Sequence, residues 1–252
     1  MLNRPVTTCA TWLPAPSGLQ LGEGEAHVWL ASLDVAAGPL AALRSRLSAE
    51  ELARADRFLQ PQHRVRSAAA RGMLRSLLSR YLGVEPKSVE FQHNPFGKPA
   101  LAGPAADDDL RFNLSHSHGL GLFALARGRE LGVDLEMIRP AFATLQIAER
   151  FFAPAEAARL RALSESEQPP AFFECWSRKE AYIKARGDGL HRRLDSFEVA
   201  FGPGTKPAVL RSDDEAEVPS HWAMFDLRPA EGFAAALAIE QPTKTVHCWR
   251  LD

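Results

Sequence analysis

The sequence has few cysteines, no excess of either charge and no long apolar run, and each shortage excludes a class of protein. Three cysteines without close spacing, Cys9, Cys175 and Cys248, argue against a disulfide framework and favour a reducing compartment. The formal charge of −1 gives the whole chain no long-range attraction for nucleic acid or acidic membranes. No stretch approaches the roughly 18 apolar residues of a spanning helix, and the first residues do not resemble a signal peptide. We therefore expect a cytoplasmic protein without nucleic-acid or membrane partners.

Local patterns predict a mixed α/β class. With 46% hydrophobic residues among 252, the chain is long and apolar enough to fold, so disorder is excluded as its default state. Residues 27–33 alternate as a strand does, Ser48 to Glu51 form a capping box before a short helix, and an apolar stripe predicts a long helix over 62–82. The pattern further predicts paired strands at 120–126 and 131–136, three helices at about 142–151, 154–164 and 171–186, and five strands near 196–201, 207–211, 221–227, 233–239 and 245–250.

Two segments of the chain resemble each other. Residues 88–101 and 196–209 match at a constant offset of 108, with Ser, Glu, Pro, Lys, Pro and Ala coinciding at Ser88, Glu90, Pro95, Lys98, Pro99 and Ala100. Each segment follows a predicted long helix and precedes a predicted strand. This predicts a duplication into two similar halves, 1–127 and 128–252, with a ligand site in the cleft between them.

Asp134 and Glu136 lie two residues apart in a predicted strand, so both carboxylates face the same side. Their mutual repulsion needs a counter-charge, and Mg²⁺, which prefers oxygen ligands, supplies it. The alternative is a solvated strand face.

The predicted helix around residues 172–184 carries Lys179 within an apolar stripe. A lysine in that position needs an anionic partner or must extend its stem to water, and the second outcome is the commoner one. On the same helix Glu180 and Lys184 are spaced i,i+4, which by itself indicates only a weak surface ion pair.

Hydroxyls and imidazoles are concentrated in residues 112–119, where Ser115, His116, Ser117 and His118 follow one another. Such a strand end can bind an anion. His116 and His118 could instead ligate zinc, although no cysteine partner accompanies them. A Ser115–His116 nucleophile pair is disfavoured because neighbours in an extended chain point apart.

Taken together, these motifs resemble the surfactin-type 4′-phosphopantetheinyl transferases over residues 27–250. The resemblance rests on FGKP at residues 96–99, FNLSHS at 112–117, GVDLE at 132–136, RFF at 150–152 and WSRKEAYIK at 176–184. It implies a monomer of two similar α/β halves, related by pseudo-two-fold symmetry, with coenzyme A and Mg²⁺ at their interface. It also implies the reaction, in which the serine of an apo acyl or peptidyl carrier protein takes the phosphopantetheine arm and 3′,5′-ADP leaves.

The resemblance assigns roles to single residues. Asp134, Glu136 and Glu180 would hold Mg²⁺, Glu180 would also take the proton of the carrier serine, and Lys184 would steady the leaving phosphate. The expected contacts to coenzyme A are Arg54, Arg66, Ser67, Lys98, Ser115, His116 and Lys184. Glu51 stands where the family has a basic residue, which leaves Arg54 alone on the short helix.

Two other functions use the same residues. A metal-dependent phosphohydrolase or nuclease could be built on Asp134, Glu136, Glu180 and Lys184, but a nuclease is expected to present a basic face, and the pI is about 6.7. A catalytically silent carrier-binding module would have lost a metal ligand, whereas every expected carboxylate is present.

Overall fold

The computed structural model describes residues 8–9 and 11–251, and within them strands and helices follow one another in runs. The strands are β1 (Thr8–Cys9), β2 (Glu25–Ser32), β3 (Glu90–His93), β4 (Pro99–Ala102), β5 (Leu110–Ser117), β6 (Leu120–Arg127), β7 (Leu131–Met137), β8 (Phe197–Val199), β9 (Val209–Ser212), β10 (Trp222–Leu227), β11 (Phe233–Glu240) and β12 (Thr245–Arg250). The α-helices are α1 (Ala37–Arg44), α2 (Ala49–Asp56), α3 (Pro61–Leu82), α4 (Leu145–Phe151), α5 (Pro154–Arg161) and α6 (Gln168–Arg186). The mixed class is confirmed.

Local signals set the helix ends. Ser48 caps α2 in the predicted capping box, because its side chain accepts from the Glu51 amide while the Glu51 carboxylate accepts from the Ser48 amide. Pro61 opens α3, and Gly83 ends that helix in the left-handed conformation at φ 68°. Gly187, at φ 77°, ends α6 in the same way.

The strands form two four-stranded sheets, in the orders β12-β2-β6-β5 and β1-β10-β11-β7, and two separate hairpins, β3–β4 and β8–β9. The prediction that residues 120–126 pair with 131–136 is wrong, since β6 pairs with β2 and β5 while β7 pairs with β11. The two strands instead pack face to face, with alternate residues of both in one apolar core: Leu122, Ala124, Ala126, Leu131, Val133 and Leu135. Both faces of β6 and most of β7 are buried, so the local pattern did not specify which strand pairs at the edge.

The same order of elements occurs twice. In each half a long helix leads through a 3-10 turn, at Pro86–Ser88 and Leu194–Ser196, into a hairpin and two antiparallel strands. The sheet orders correspond as well, with β2-β6-β5 matching β7-β11-β10. The predicted boundary at 127/128 lies in the β6–β7 connection, but each sheet also takes a strand from the far end of the chain: β12 pairs in parallel with β2, and β1 with β10.

The cysteines differ from the expectation. Cys248 is disulfide-bonded, which departs from the absence of disulfides that we expected from the count, while Cys175 is a free, buried thiol.

None of the helices in the described ranges combines the length and apolarity needed to cross a bilayer.

Lys179 is fully buried, so the prediction that it reaches water is wrong. Its Nζ lies 2.7 Å from Glu156 Oε2 and donates to the carbonyl oxygens of Leu194 and Phe197 at 2.7 and 2.6 Å. Burial raises the pKa of Glu156, and the charge of Lys179 opposes that shift. This pair fastens α5 to α6 because a buried lysine needs a buried anion.

Helix α6 lies directly against β7 at Gly132. A Cβ at this position would overlap the carbonyl oxygen of Ala181 and the amide nitrogen of Ala185, which belong to the backbone of α6. The contact brings the turn that carries Glu180 and Lys184 next to the strand that carries Asp134 and Glu136.

We expect Gly132→Ala to destabilise the protein by about 1–3 kcal/mol, the usual range for overpacking, because backbone has to move to make room for the methyl group. Urea unfolding measures the change. Gly38→Ala in α1 is the matched control, since nothing lies within 4 Å of a Cβ there, and alanine favours a helix. Equal stability of the two variants would contradict the close approach.

Candidate active site

Side chains of β5 connect the two sheets by bonding to the backbone of β7. The amides of three alternate β7 residues donate to side-chain oxygens of three alternate β5 residues: Val133 to Asn113 at 2.9 Å, Leu135 to Ser115 at 3.3 Å and Met137 to Ser117 at 3.2 Å. The sequence separation is 20 in each pair. We call these three bonds the Asn/Ser ladder. It fixes the register of the acidic strand against the first half of the chain.

Asp134 lies at the centre of the ladder and is 3% exposed. Its Oδ1 accepts from Ser115 Oγ at 3.0 Å and from Lys184 Nζ at 2.5 Å. Lys184 Nζ also donates to Ser115 Oγ at 3.0 Å. Asp134 Oδ2 is buried and has no hydrogen-bond partner within the described chain, so one carboxylate oxygen is left to bind something else.

Glu136 and Glu180 complete an acidic cluster with Asp134. Burial, followed by the nearby charge of Asp134, raises the pKa of Glu136 to about 7. The same two causes raise the pKa of Glu180. The predicted Glu180–Lys184 surface pair is replaced by the Lys184–Asp134 bond, because the helix turns this face toward β7. Three half-buried or buried carboxylates against one lysine form a site with a deficit of positive charge.

Two cavities adjoin here. The first, of about 430 Å³, is acidic and is lined by Leu114, Ser115, His116, Asp134, Glu136, Trp176, Glu180 and Lys184. The second, of about 530 Å³, has a mixed lining that includes the cationic side chains of Arg54, Arg71, Arg75 and Lys87, the carboxylates of Glu50, Glu51 and Glu90, and the polar side chains of Ser67 and His93. Leu114 and His116 line both cavities. A ligand extended across His116 would therefore meet carboxylates with a single lysine at one end and several arginines, partly paired with glutamates, at the other.

The chain shows clear similarity to known proteins. Residues 130–238 match the family model described as the 4′-phosphopantetheinyl transferase superfamily, and residues 37–126 match that of the 4′-phosphopantetheinyl transferase N-terminal region. The 4′-phosphopantetheinyl transferase HetI of Nostoc sp. is 44% identical over 91% of this chain and 93% of its own. A 4′-phosphopantetheinyl transferase of Bacillus subtilis is 33% identical over 73% of this chain and 84% of its own, and Sfp of Bacillus subtilis (strain 168) is 29% identical over 79% and 84%.

The chain belongs to the 4′-phosphopantetheinyl transferase superfamily. These relatives do not support the phosphohydrolase or nuclease alternative. The structure divides the residues predicted from the family resemblance into three groups. Two groups line the two adjoining cavities, and the third lies outside them.

Lys98 and Arg66 lie outside these cavities. Lys98 Nζ donates to Glu130 Oε2 at 2.6 Å and to the carbonyl oxygens of Leu131 and Ala185 at 3.2 and 2.7 Å. It therefore ties the end of α6 to β7, and it lines a different cavity. Arg66 forms a two-bond pair with Asp34, at 2.7 and 2.8 Å. The contacts of Lys98 and Arg66 with coenzyme A therefore stay predictions.

Glu51 accounts for the departure from the family pattern on α2. Its two carboxylate oxygens accept from Arg71 Nε at 2.5 Å and Arg75 Nε at 2.7 Å. Arg71 and Arg75 were not among the predicted site residues, yet Ser67, Arg71 and Arg75 repeat every four residues and thus share one helix face. That spacing was the signal that could have placed them on the second cavity.

We expect Asn113→Ala to cost about 1–3 kcal/mol of folding free energy, because the buried Val133 amide loses its acceptor. Ser117→Ala, at the more exposed end of the ladder, should cost less, since water can reach the Met137 amide. Urea unfolding of both variants tests the order. A larger loss for Ser117→Ala would show that the ladder does not hold the strands together as described.

Proposed function

We propose that this protein transfers the 4′-phosphopantetheine arm of coenzyme A to the serine hydroxyl of an apo acyl or peptidyl carrier protein and releases 3′,5′-ADP. Family membership supports the reaction. The observation that carries it is the acidic cavity of Asp134, Glu136, Glu180 and Lys184 beside a second cavity that contains three arginines and a lysine together with three glutamates, with His116 between the two cavities. Coenzyme A has two anionic groups, a pyrophosphate and a 3′-phosphate, that such a pair of cavities can separate.

The second cavity is proposed to hold the 3′-phosphate end of coenzyme A. Arg54 and Ser67, which the family resemblance assigns to coenzyme A, line this cavity, and Arg71 adds a further donor whose Nε is bonded to Glu51. Ser115 and His116 are proposed to contact the phosphates where the cavities meet.

The acidic cluster fits a divalent cation. Asp134 has a buried oxygen without a partner in the described part of the chain, and the pKa values of Glu136 and Glu180 are raised by burial and by Asp134. Oxygen-only ligands are those that Mg²⁺ prefers. Asp134, Glu136 and Glu180 would hold Mg²⁺, which when bound offsets the negative charge of the pyrophosphate.

Glu180 and Lys184 are proposed to act on the reacting groups. Glu180 accepts the proton of the carrier serine, and the serine oxygen forms a bond to the β-phosphorus while the bond from that phosphorus to 3′,5′-ADP breaks. Lys184 Nζ, now bonded to Asp134, donates to the leaving phosphate. Monomeric state and cytoplasmic location stay predictions from the sequence.

The reaction is tested by incubating the protein with coenzyme A, Mg²⁺ and a panel of apo carrier proteins, and by weighing the carriers. We expect the mass of one phosphopantetheine to be added, a loss of the reaction with a chelator, and a fall by orders of magnitude in Asp134→Ala. Hydrolysis of coenzyme A without labelling of any carrier would support a phosphohydrolase instead.

We expect Glu180→Gln to lower kcat much more than it weakens coenzyme A binding, because the amide keeps an oxygen but has no basicity. Single-turnover kinetics and calorimetry with coenzyme A measure the two effects. Glu165→Gln, on an exposed turn, is the control. Equal losses in kcat and in binding would reduce Glu180 to a residue that positions the substrate.

A further inference from the structure

A second group of metal-ligating side chains lies outside the acidic cavity, at the opposite side of the first sheet. Glu25 and His27 stand on the same face of β2, two residues apart, and His247 stands on β12 directly beside His27 in the parallel register. In the sheet order β12-β2-β6-β5, this group lies on the two strands at the end away from β5.

The three side chains point their ligand atoms at one another. His27 Nε2 lies 3.8 Å from Glu25 Oε2, and His247 Nε2 lies 3.7 Å from Glu25 Oε1. All three ligand atoms fall within 4.8 Å of one another. These separations exceed the usual hydrogen-bond range. In a tetrahedral zinc site with bonds of about 2.0–2.2 Å to nitrogen and oxygen, two ligand atoms lie about 3.4 Å apart. The separations measured here are close to that distance.

The surroundings hold both imidazoles in place. His27 is 2% exposed, and its Nδ1 lies 2.6 Å from Tyr81 Oη, which also accepts from Trp29 Nε1 at 3.0 Å. A hydroxyl oxygen has two lone pairs, so it can accept from His27 Nδ1–H as well and leave Nε2 free as a ligand. His247 stacks on Trp249 with ring planes 6° apart. A hydrogen-bond partner on the second ring nitrogen, such as Tyr81 Oη on His27 Nδ1, is typical of metal-binding histidines.

We propose that Glu25, His27 and His247 form a binding site for a divalent transition metal, with Zn²⁺ as the natural occupant. Two imidazoles and one carboxylate select Zn²⁺ over Mg²⁺, because imidazole suits zinc whereas Mg²⁺ takes oxygen ligands. The side chains of Glu25 and His247 are 33% and 39% exposed, so the metal can enter from solvent and keep water as its fourth ligand. The site would clamp the last strand, β12, onto β2.

The test is calorimetry of Zn²⁺ binding to chelator-treated protein in excess Mg²⁺, which occupies the carboxylate site. Tetrahedral Co²⁺ absorption serves as the second readout. We expect one equivalent to bind. Loss of one ligand in His247→Gln or Glu25→Gln should weaken binding by more than about 100-fold, since even a second-shell change costs about 10- to 100-fold. His221→Gln, an exposed histidine elsewhere, should bind as the wild type does.

Neither readout depends on transfer activity, so failure of this proposal is distinct from failure of the proposed function. The partial exposure of Glu25 and His247 means that their variants should fold, which circular dichroism checks. Wild-type affinity in both His247→Gln and Glu25→Gln would overturn the proposal. So would the absence of binding in the wild type, which would leave the group as a hydrogen-bonded cluster that joins two strands.

Discussion

The Asn/Ser ladder is the interaction on which the site depends. Two sheets that share no backbone ladder are joined at β5 and β7 by side-chain oxygens that accept from alternate amides. The face of β7 that carries Gly132 and Asp134 then lies against α6. Asp134 is held there between Ser115 and Lys184. The residues that line the acidic cavity come from both halves of the chain, so their geometry is only as exact as this junction.

Local chemistry made much of the fold predictable. Alternation located most strands, Ser48 and Gly83 marked helix ends, and the repeat at an offset of 108 anticipated two similar halves. The carboxylates of Asp134 and Glu136 were also predictable, because a period of two in a strand decides which side chains share a face. Such features depend on neighbours in the sequence, and a single chain contains that information.

Features that depend on distant partners were not predictable. Lys98 Nζ donates to Glu130 and to two carbonyl oxygens, and Lys179 is buried against Glu156. Nothing within a few residues of either lysine identifies those partners. The pairing of Glu25 and His27 with His247 is the extreme case, since it exists only because β12 returns to the first sheet.

The pairing of β12 with β2 and of β1 with β10 has a consequence for folding during synthesis. The first half is synthesised early, but the edge of β2 is covered by β12, which contains Trp249 packed against Trp29. A chain still attached to the ribosome therefore has a nearly finished first sheet with one open hydrogen-bonding edge. That edge closes only when β12 has emerged, so the first sheet is completed only after the second half of the sequence has been synthesised.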